Sequence, residues 1–454
     1  MQYYTDQTAV VTNFGGKTLP TSQVGVGVSF DSTGNLQVGA GTTLYKNIVD
    51  VYAACPNYLS MAAMNNQFYL FSYANKELSN STLQLVKVSS TNINSAAVVT
   101  ILPTDYFIYE LVALSSTSSS GIFVAICQDF SSTASDAYVL VGSVSFQTNA
   151  VSLSPNKVLY SSGAYSVSPQ LIALSSTSFA LAYYTGSPPL AETRYGTIDA
   201  TSLTPTLSDS FFFANDSTNS TYFNLAALTA QTYALFYYDA VYRDGADQPG
   251  LLHGLLASVS LGAGPTAATA SLSFGNVSVL SASPISDNFA ATTLDNATVA
   301  LAFVDAAQNN AVVVQTATTL AADSTELVFG PSWLVNSGAA YQQDLPTGLL
   351  DLDIEVISDS RQFVVLYSDL SNQGAVLASV GQLTESNALV RASPDFLLAG
   401  PSDVLSVKTW GAVAAGQTDS DDSQTALLVL QTTGNCEKAA RYTPSSPSIR
   451  CARV

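Results

Sequence analysis

The sequence of 454 residues predicts an all-β fold built from repeated sheets. Seven apolar and aromatic runs, each ending at Asp, Asn or Thr, start 54 to 66 residues apart. A buried-strand pattern that recurs at such a period is typical of stacked repeats. The chain is rich in Val, Thr, Tyr and Phe, which fit pleated strands better than helices. The runs are 69–75, 123–129, 179–185, 233–239, 299–305, 363–369 and 426–432.

Each run belongs to a longer unit of four strands. A shorter apolar strand and a polar turn precede the run, as in 225–228 followed by TAQT. Two strands joined by such a turn predict an antiparallel hairpin. A third strand and a fourth strand follow, for example 194–198 and 207–213 in the third repeat. No long stretch holds a period of 3.6, so almost no helix is expected.

Four antiparallel strands repeated seven times resemble the seven-bladed β-propellers. The resemblance covers residues 36–443 and lies in the repeat pattern, since no WD or kelch signature occurs. In such a fold each sheet is covered on both faces by its neighbours, which explains third strands that are apolar nearly throughout. Sandwiches in series, the alternative all-β arrangement, would not repeat one hairpin so regularly.

The two ends of the chain offer more strands than seven blades need. Residues 1–35 form an N-terminal arm, in which 24–30 is a strand and 8–12 is a second short strand. The slot in the last blade is open to 24–30 or to 438–443, and the other strand is then free to pair elsewhere, including with another subunit. Residues 444–454 are a C-terminal tail.

The composition bears on partners and location. The net charge of −19 would repel nucleic acid and anionic membranes, and no run of eighteen apolar residues could span a bilayer. The start of the sequence lacks the basic and apolar regions of a signal peptide, so either the protein is cytosolic or the sequence begins after a removed leader. Five glycosylation acceptors and a lysine-poor, hydroxyl-rich chain favour the second interpretation, a secreted glycoprotein at the cell surface with N-linked glycans. The acceptors are Asn80, Asn215, Asn219, Asn276 and Asn296.

Four cysteines allow three pairings. We favour a disulfide between Cys436 and Cys451, which closes a short loop, and one between Cys55 and Cys127. The alternative is four unpaired, buried thiols. With one histidine in the chain and no Cys-X-X-Cys, a zinc or iron site of ordinary type is not expected.

Three acids alternate with apolar residues: Asp351, Asp353 and Glu355. On a strand this spacing places the three carboxyl groups on one face, where they raise one another's pKa or recruit a counter-ion. A carboxyl pair is also what a glycosidase needs. The alternative is a solvated strand start in which Arg361 pairs with the acids.

Other acids have weaker claims to a function. Asp419, Asp421 and Asp422 could hold calcium, but the loop lacks the glycine and the distal glutamate of an EF-hand, so an exposed acidic turn is the alternative. No other cofactor is expected. The acids that end the runs, such as Asp305, are expected to accept hydrogen bonds from the turn that follows.

No nucleophile elbow, phosphate-binding loop or dinucleotide fingerprint occurs. The sequence therefore predicts a non-enzymatic, extracellular structural or assembly subunit, which self-associates through a terminal strand as in a cell-surface filament or flagellar hair. The alternative is a carbohydrate-binding or glycoside-cleaving propeller that uses the carboxylates near Asp351. A protein-binding receptor ectodomain is a third possibility, because the fold alone does not decide.

Overall fold

The computed structural model describes most of the chain between residues 21 and 432. The described ranges are 21–30, 36–38, 42–48, 60–65, 67–75, 80–89, 92–103, 106–129, 136–161, 169–185, 190–214, 223–239, 242–243, 246–247, 251–262, 267–280, 285–308, 311–320, 325–336, 352–358, 361–369, 375–393, 395–399, 404–410 and 424–432. Within these ranges the helices are two short 3₁₀ segments, Ala267–Thr269 and Ala306–Gln308. The expectation of almost no helix is confirmed for the described residues.

One sheet joins the two ends of the described chain, and we call it the terminal sheet. Its strands are β1 (Thr21–Phe30), β2 (Leu36–Val38), β3 (Thr42–Ile48), β33 (Val404–Trp410) and β34 (Gln424–Thr432). β1 pairs with β34 from Ser22 opposite Thr432 to Phe30 opposite Gln424. β2 and β3 pair with β1, so partners from the same chain flank it. Residues 8–12, 438–443 and 444–454 lie outside the described residues.

Six further sheets follow in chain order as blades 1 to 6. Blade 1 consists of β4 (Ser60–Ala63), β5 (Phe68–Asn75), β6 (Asn80–Ser89) and β7 (Asn92–Ile101). Blade 2 consists of β8 (Tyr106–Ser116), β9 (Ser120–Asp129), β10 (Asp136–Ser145) and β11 (Ala150–Ser161). Blade 3 consists of β12 (Gln170–Ser175), β13 (Ser178–Thr185), β14 (Leu190–Asp199), β15 (Thr204–Leu207) and β16 (Phe211–Ala214).

The other three blades have the same plan. Blade 4 consists of β17 (Phe223–Thr229), β18 (Thr232–Asp239), β21 (Leu251–Ser260), β22 (Ser271–Phe274) and β23 (Ser278–Val279), with a ribbon of β19 (Tyr242–Arg243) and β20 (Ala246–Asp247) between β18 and β21. Blade 5 consists of β24 (Ile285–Asp295), β25 (Thr298–Asp305), β26 (Ala311–Thr319) and β27 (Leu327–Leu334). Blade 6 consists of β28 (Asp353–Ser358), β29 (Gln362–Asp369), β30 (Ala375–Leu383), β31 (Leu389–Arg391) and β32 (Phe396–Ala399).

Neighbouring strands within each blade are antiparallel and follow one another in sequence. The first strand of each blade lies beside the first strand of the next, in the order β4, β8, β12, β17, β24 and β28. These inner strands therefore surround a common axis. This arrangement confirms an all-β propeller with four-stranded antiparallel blades. The predicted number of seven is not confirmed, because the structure shows six blades beside the terminal sheet.

The hydrophobic core lies between the blades. Each buried cluster draws on two consecutive blades; one of them combines Leu70 and Leu83 of blade 1 with Phe123 and Leu140 of blade 2. Equivalent clusters lie between blades 2 and 3, 3 and 4, 4 and 5, and 5 and 6. The apolar runs supply the central strands, and all eight residues of β25 are buried. Stacking covers both faces of a sheet, which no blade could achieve alone.

In three blades the first residue of the aromatic run packs over a glycine on the third strand. Phe123 faces Gly142, Phe179 faces Gly196 and Phe363 faces Gly381. A Cβ atom added at Gly196 would lie 2.1 Å from the Phe179 ring. The aromatic ring therefore occupies the space that a side chain at the glycine position would need, as in other cross-strand pairs of an aromatic residue and glycine.

The fourth strand is divided in blades 3, 4 and 6. In blade 3 the sequence predicts one strand over 207–213, whereas Ser208 interrupts it between β15 and β16. The N–H of Ser208 donates to the Tyr195 carbonyl at 2.8 Å, and its hydroxyl accepts from the Tyr195 N–H at 3.1 Å. The interruption therefore leaves the backbone N–H and carbonyl of Tyr195 in β14 hydrogen-bonded.

Candidate functional site

The inner strands enclose a cavity of about 690 Å³ on the axis of the propeller. This volume is within the range of small-molecule sites in proteins. Its wall mixes apolar side chains with amides, hydroxyls and carboxyl groups. The polar residues with amide or carboxyl side chains are Asn65, Glu110, Gln170, Asn224, Asp353 and Glu355, and those with hydroxyls are Ser115, Ser116, Thr292 and Thr293.

The repeat gives each inner strand a common register. The first residue of the run on the second strand pairs with Ala63, Ala113, Ala173, Ala227, Thr293 or Val356 on the inner strand. We call the inner-strand residue immediately before this paired residue the wall position. The inner-strand residue three positions before the paired residue is the tie position. The tie position carries Ser60, Glu110, Gln170, Asn224, Ala290 and Asp353 in blades 1 to 6. The wall position carries Ala62, Val112, Ile172, Ala226, Thr292 and Glu355.

The tie position links consecutive blades. Ser60 Oγ accepts a hydrogen bond of 3.0 Å from the backbone N–H of Leu111 on the next inner strand. Glu110 Oε2 accepts one of 3.2 Å from the N–H of Leu171, again on the next strand. Inner strands are edge strands, so these N–H groups have no strand partner on that side. A polar side chain at the tie position is therefore explained by the structure, because it accepts a hydrogen bond from the next inner strand.

The wall position has no such requirement, because four of the six blades carry an apolar residue there. Only Thr292 in blade 5 and Glu355 in blade 6 depart from the pattern among the six described blades. Equivalent positions in a repeat face the same packing constraints. A carboxyl group at an apolar position is thus a local departure of the kind expected at functional sites.

Glu355 is largely surrounded by protein, but its side chain also lines the cavity. Burial raises the pKa of its carboxyl well above the ordinary value. The Asp353 carboxyl raises it further, and a hydrogen bond from Thr292 opposes both effects. The side chain is partly exposed, on the side that lines the cavity. The site therefore contains a carboxyl group whose proton is retained at a higher pH than that of an ordinary glutamate.

The structure brings two of the three predicted carboxylates together. Asp353 and Glu355 both lie on β28 and both line the cavity, whereas Asp351 lies outside the described residues. Arg361 is not their partner: its guanidinium pairs with Asp295 at 2.7 Å, in the neighbouring blade. The alternative of acids paired with Arg361 is therefore wrong for the two described acids.

The predicted disulfide between Cys55 and Cys127 is not supported. Cys127 is a free thiol, fully buried near the end of β9, and burial raises its pKa to about 12. Its side chain packs in the cluster between blades 1 and 2. Cys55, Cys436 and Cys451 lie outside the described residues, and the pairing of the last two stays a prediction.

The remaining predicted sites are mostly untested. Asp419, Asp421 and Asp422 lie outside the described residues; within the described ranges, no group of three His, Cys, Asp or Glu residues is placed to hold a metal. Asn276 and Asn296 are exposed, and Asn80 begins β6. Asn215 and Asn219 lie outside the described part of the chain.

Asp305 confirms the structural role expected for an acid at the end of a run. Its Oδ1 accepts from the Ala307 N–H at 2.9 Å, and its Oδ2 accepts from Gln308 Nε2 at 2.7 Å. Both donors belong to the turn that follows β25. The carboxylate therefore satisfies local donors and needs no ligand.

Sequence reasoning missed Thr292. Its hydroxyl oxygen accepts from the backbone N–H of Val356 at 3.3 Å, across the interface between blades 5 and 6. The signal was present in the sequence: aligning the inner strands on the aromatic runs shows that Thr292 and Glu355 occupy the same register position.

No model of a known protein family matches the sequence, and no curated protein matches it. Solved structures do resemble the chain. An α-L-arabinofuranosidase of Fusarium graminearum has 12% identity and a TM-score of 0.43, over 72% of this chain and 92% of that one. The NanB sialidase of Streptococcus pneumoniae has 10% identity and a TM-score of 0.42, over 69% of this chain and 65% of that one.

The β-propeller domain of the Trilobed protease from Pyrococcus furiosus has 8% identity and a TM-score of 0.39, over 82% of this chain and 94% of that one. Similarity at this level concerns the fold and assigns no role to a residue. Among the described residues, the structure contains no helix long and apolar enough to cross a membrane.

The prediction of a non-enzymatic structural subunit is wrong. Strand 24–30, one of the two candidates for pairing with another subunit, lies within Thr21–Phe30 and is flanked by strands of its own chain. Self-association and N-linked glycans stay predictions.

Proposed function

We propose that the protein binds a carbohydrate in the axial cavity and cleaves a glycosidic bond there, with Glu355 as the proton donor. The observation that carries the proposal is the position of Glu355. It places a carboxyl group on the cavity wall at a register position where blades 1 to 4 carry Ala62, Val112, Ile172 and Ala226. No structural tie of the repeat accounts for it.

The lining of the cavity favours a hydroxyl-rich ligand. Amide and hydroxyl groups such as Asn224, Gln170 and Thr293 can donate and accept hydrogen bonds, and apolar side chains lie between them. Sites for neutral small molecules commonly combine a mostly apolar wall with a few polar groups that fix orientation. No described residue that lines the cavity carries a positive charge, so a phosphate or carboxylate ligand would lack a counter-charge.

The carboxyl pair supports hydrolysis. A glycosidase requires one protonated acid and one carboxylate that acts as a base or nucleophile. Glu355, with its raised pKa, donates its proton to the leaving oxygen as the glycosidic C–O bond breaks. A water molecule adds to the anomeric carbon, and Asp353 accepts its proton. One water is consumed for each bond cleaved.

The experiment compares the wild type with Glu355→Gln on a panel of oligosaccharides and aryl glycosides. Glutamine keeps the size but cannot donate the proton, so turnover should fall by about 10²- to 10⁴-fold with little change in binding. Glu385→Gln, at an exposed hairpin turn outside the cavity, is the matched control and should leave turnover unchanged. A wild type that neither binds nor cleaves any glycan would contradict the proposal.

We also propose that the terminal sheet completes the ring as a seventh blade. Its support is that β33 lies beside β28 of blade 6 and beside β4 of blade 1. An experimental structure in which β33 is the inner strand between those two blades would agree with this proposal. A gap between blades 6 and 1 would contradict it.

An extracellular, N-glycosylated protein is a further proposal. Its support is the exposure of Asn276 and Asn296, each within an Asn-X-Ser/Thr sequence. Enzymatic removal of N-glycans from the native protein should lower its apparent mass. An unchanged mass would contradict glycosylation.

A further inference from the structure

The two departures at the wall position are adjacent and in contact. Thr292 and Glu355 occupy the same register on consecutive inner strands, β24 and β28. The Thr292 hydroxyl hydrogen-bonds the Glu355 carboxyl, and it also reaches the backbone beside that glutamate. Thr292 is thus part of the surroundings of Glu355 rather than an isolated polar substitution.

The hydrogen bonds of Thr292 have a defined direction. Its Oγ1 accepts from the N–H of Val356 at 3.3 Å, so the oxygen is held by the residue next to Glu355. A hydroxyl has one proton to donate. With the oxygen fixed by Val356, that proton is available to the Glu355 carboxyl. Thr292 is buried, which limits the competition from water for its hydroxyl.

Few charges compete with this contact. Asp353, on the same strand, is the charged group that acts on Glu355 among the described residues, and it raises the pKa of the Glu355 carboxyl. The described side chains of β24, β25 and β29 add no charge that acts on it. β33 also lies beside β28, and the side chain of its Lys408 lies outside the described residues.

We infer that Thr292 is the positioning residue for Glu355: its hydroxyl holds the carboxyl group in the orientation that faces the cavity and stabilises its ionised form. This inference rests on the proposed function, since it assigns Thr292 a part in the same reaction. A general acid works best when its proton affinity matches the working pH. Burial and Asp353 raise the pKa of the Glu355 carboxyl, and the hydrogen bond from the Thr292 hydroxyl lowers it.

The direct test is the titration of the Glu355 carboxyl, which needs no glycan. Protein labelled with ¹³C at the glutamate carboxyl carbon is titrated by NMR, and Glu355→Gln identifies the signal by its loss. Thr292→Val removes the hydroxyl and keeps the shape, so the midpoint of the Glu355 titration should shift upward. Thr292→Ser keeps the hydroxyl and should titrate near the wild type.

A matched control is Thr316→Val, the same exchange at a buried threonine of β26 outside the cavity wall. It should leave the midpoint unchanged. The inference is overturned if Thr292→Val titrates like the wild type, or if Thr292→Ser shifts as far as Thr292→Val. A shift of equal size in Thr316→Val would also overturn it, because the effect would then be general.

Kinetics give a second readout on any glycoside that the wild type cleaves. Thr292→Val should lower kcat by roughly 10- to 100-fold with a smaller change in KM, because a misplaced acid affects the chemical step. The alkaline limb of the pH–rate profile should move to higher pH together with the titration. If the wild type cleaves no glycan but the midpoint shifts as expected, the proposed function fails while the positioning of Glu355 stands.

Discussion

Glu110 and Glu355 are both glutamates on inner strands that line the same cavity, yet the repeat gives them different explanations. Glu110 occupies the tie position, where five of the six blades carry a polar residue. It accepts a hydrogen bond from the N–H of Leu171 in the next blade. Glu355 occupies the wall position, where four blades carry an apolar residue.

The difference shows how a repeat protein separates structural from functional polar groups. A polar residue that recurs in register meets a structural requirement that most of the blades share. A polar residue that breaks the register must be explained by its own surroundings. By this criterion Ser60 and Glu110 belong to the scaffold, and Glu355 belongs to the site. Thr292 serves both, because its oxygen accepts from the N–H of Val356 on the next inner strand and its hydroxyl lowers the pKa of the Glu355 carboxyl.

The largest expected effect tests whether blades 3 and 6 are equivalent outside the wall position. Phe179 and Phe363 are fully buried and pack over Gly196 and Gly381. Phe179→Ala and Phe363→Ala should each lower the free energy of unfolding by about 3–5 kcal/mol. Urea denaturation measures both. A much smaller loss for Phe363→Ala would mean that blade 6 differs throughout, and the comparison would lose its basis.

The next effect tests the tie position. Glu110→Leu leaves the Leu171 N–H without its acceptor, which should lower the free energy of unfolding by about 1–3 kcal/mol. Glu110→Gln keeps an acceptor oxygen and should lose less. Both are measured by urea denaturation at neutral pH. Equal stability of Glu110→Leu and the wild type would remove Glu110 from the scaffold.

The wall position should respond in the opposite direction. Glu355→Leu restores the apolar pattern of blades 1 to 4 and removes a carboxyl group that burial disfavours in its charged form. The free energy of unfolding should rise at neutral pH, because the folded state no longer has to hold a carboxyl group whose ionisation burial disfavours. Destabilisation by this substitution would show that Glu355 has a structural role.

The smallest effect is a pH dependence. Because the folded-state pKa of Glu355 lies above its unfolded value, the folded protein keeps a proton that the unfolded chain releases. Stability should therefore fall as the pH rises from the unfolded pKa through the folded pKa. Glu355→Gln should flatten this part of the profile of melting temperature against pH. Identical profiles would contradict the raised pKa.

Much of the scaffold could be predicted from the sequence because one strong pattern recurs. The aromatic runs correspond to the second strands of the blades, from Phe68–Asn75 to Gln362–Asp369. The same alternation places Asp353 and Glu355 together on one strand. These features depend on local sequence, which a single chain displays directly.

The rest depends on contacts between distant segments. Thr292 and Val356 are 64 positions apart and meet through the packing of two blades. Cysteine spacing could not indicate that Cys127 lies in β9 as a free thiol, with its side chain buried in the cluster between blades 1 and 2. The break at Ser208 follows from hydrogen bonds to Tyr195 in the neighbouring strand, which its own sequence does not reveal.

The pairing of β1 with β34 has a consequence for biosynthesis. Thr21–Phe30 leaves the ribosome before its partner Gln424–Thr432, which follows some four hundred residues later. Until then one edge of an apolar strand is unpaired and open to pairing with other nascent chains. Closing so long a segment is entropically demanding, so joining the two ends is expected to be the last and slowest step of folding.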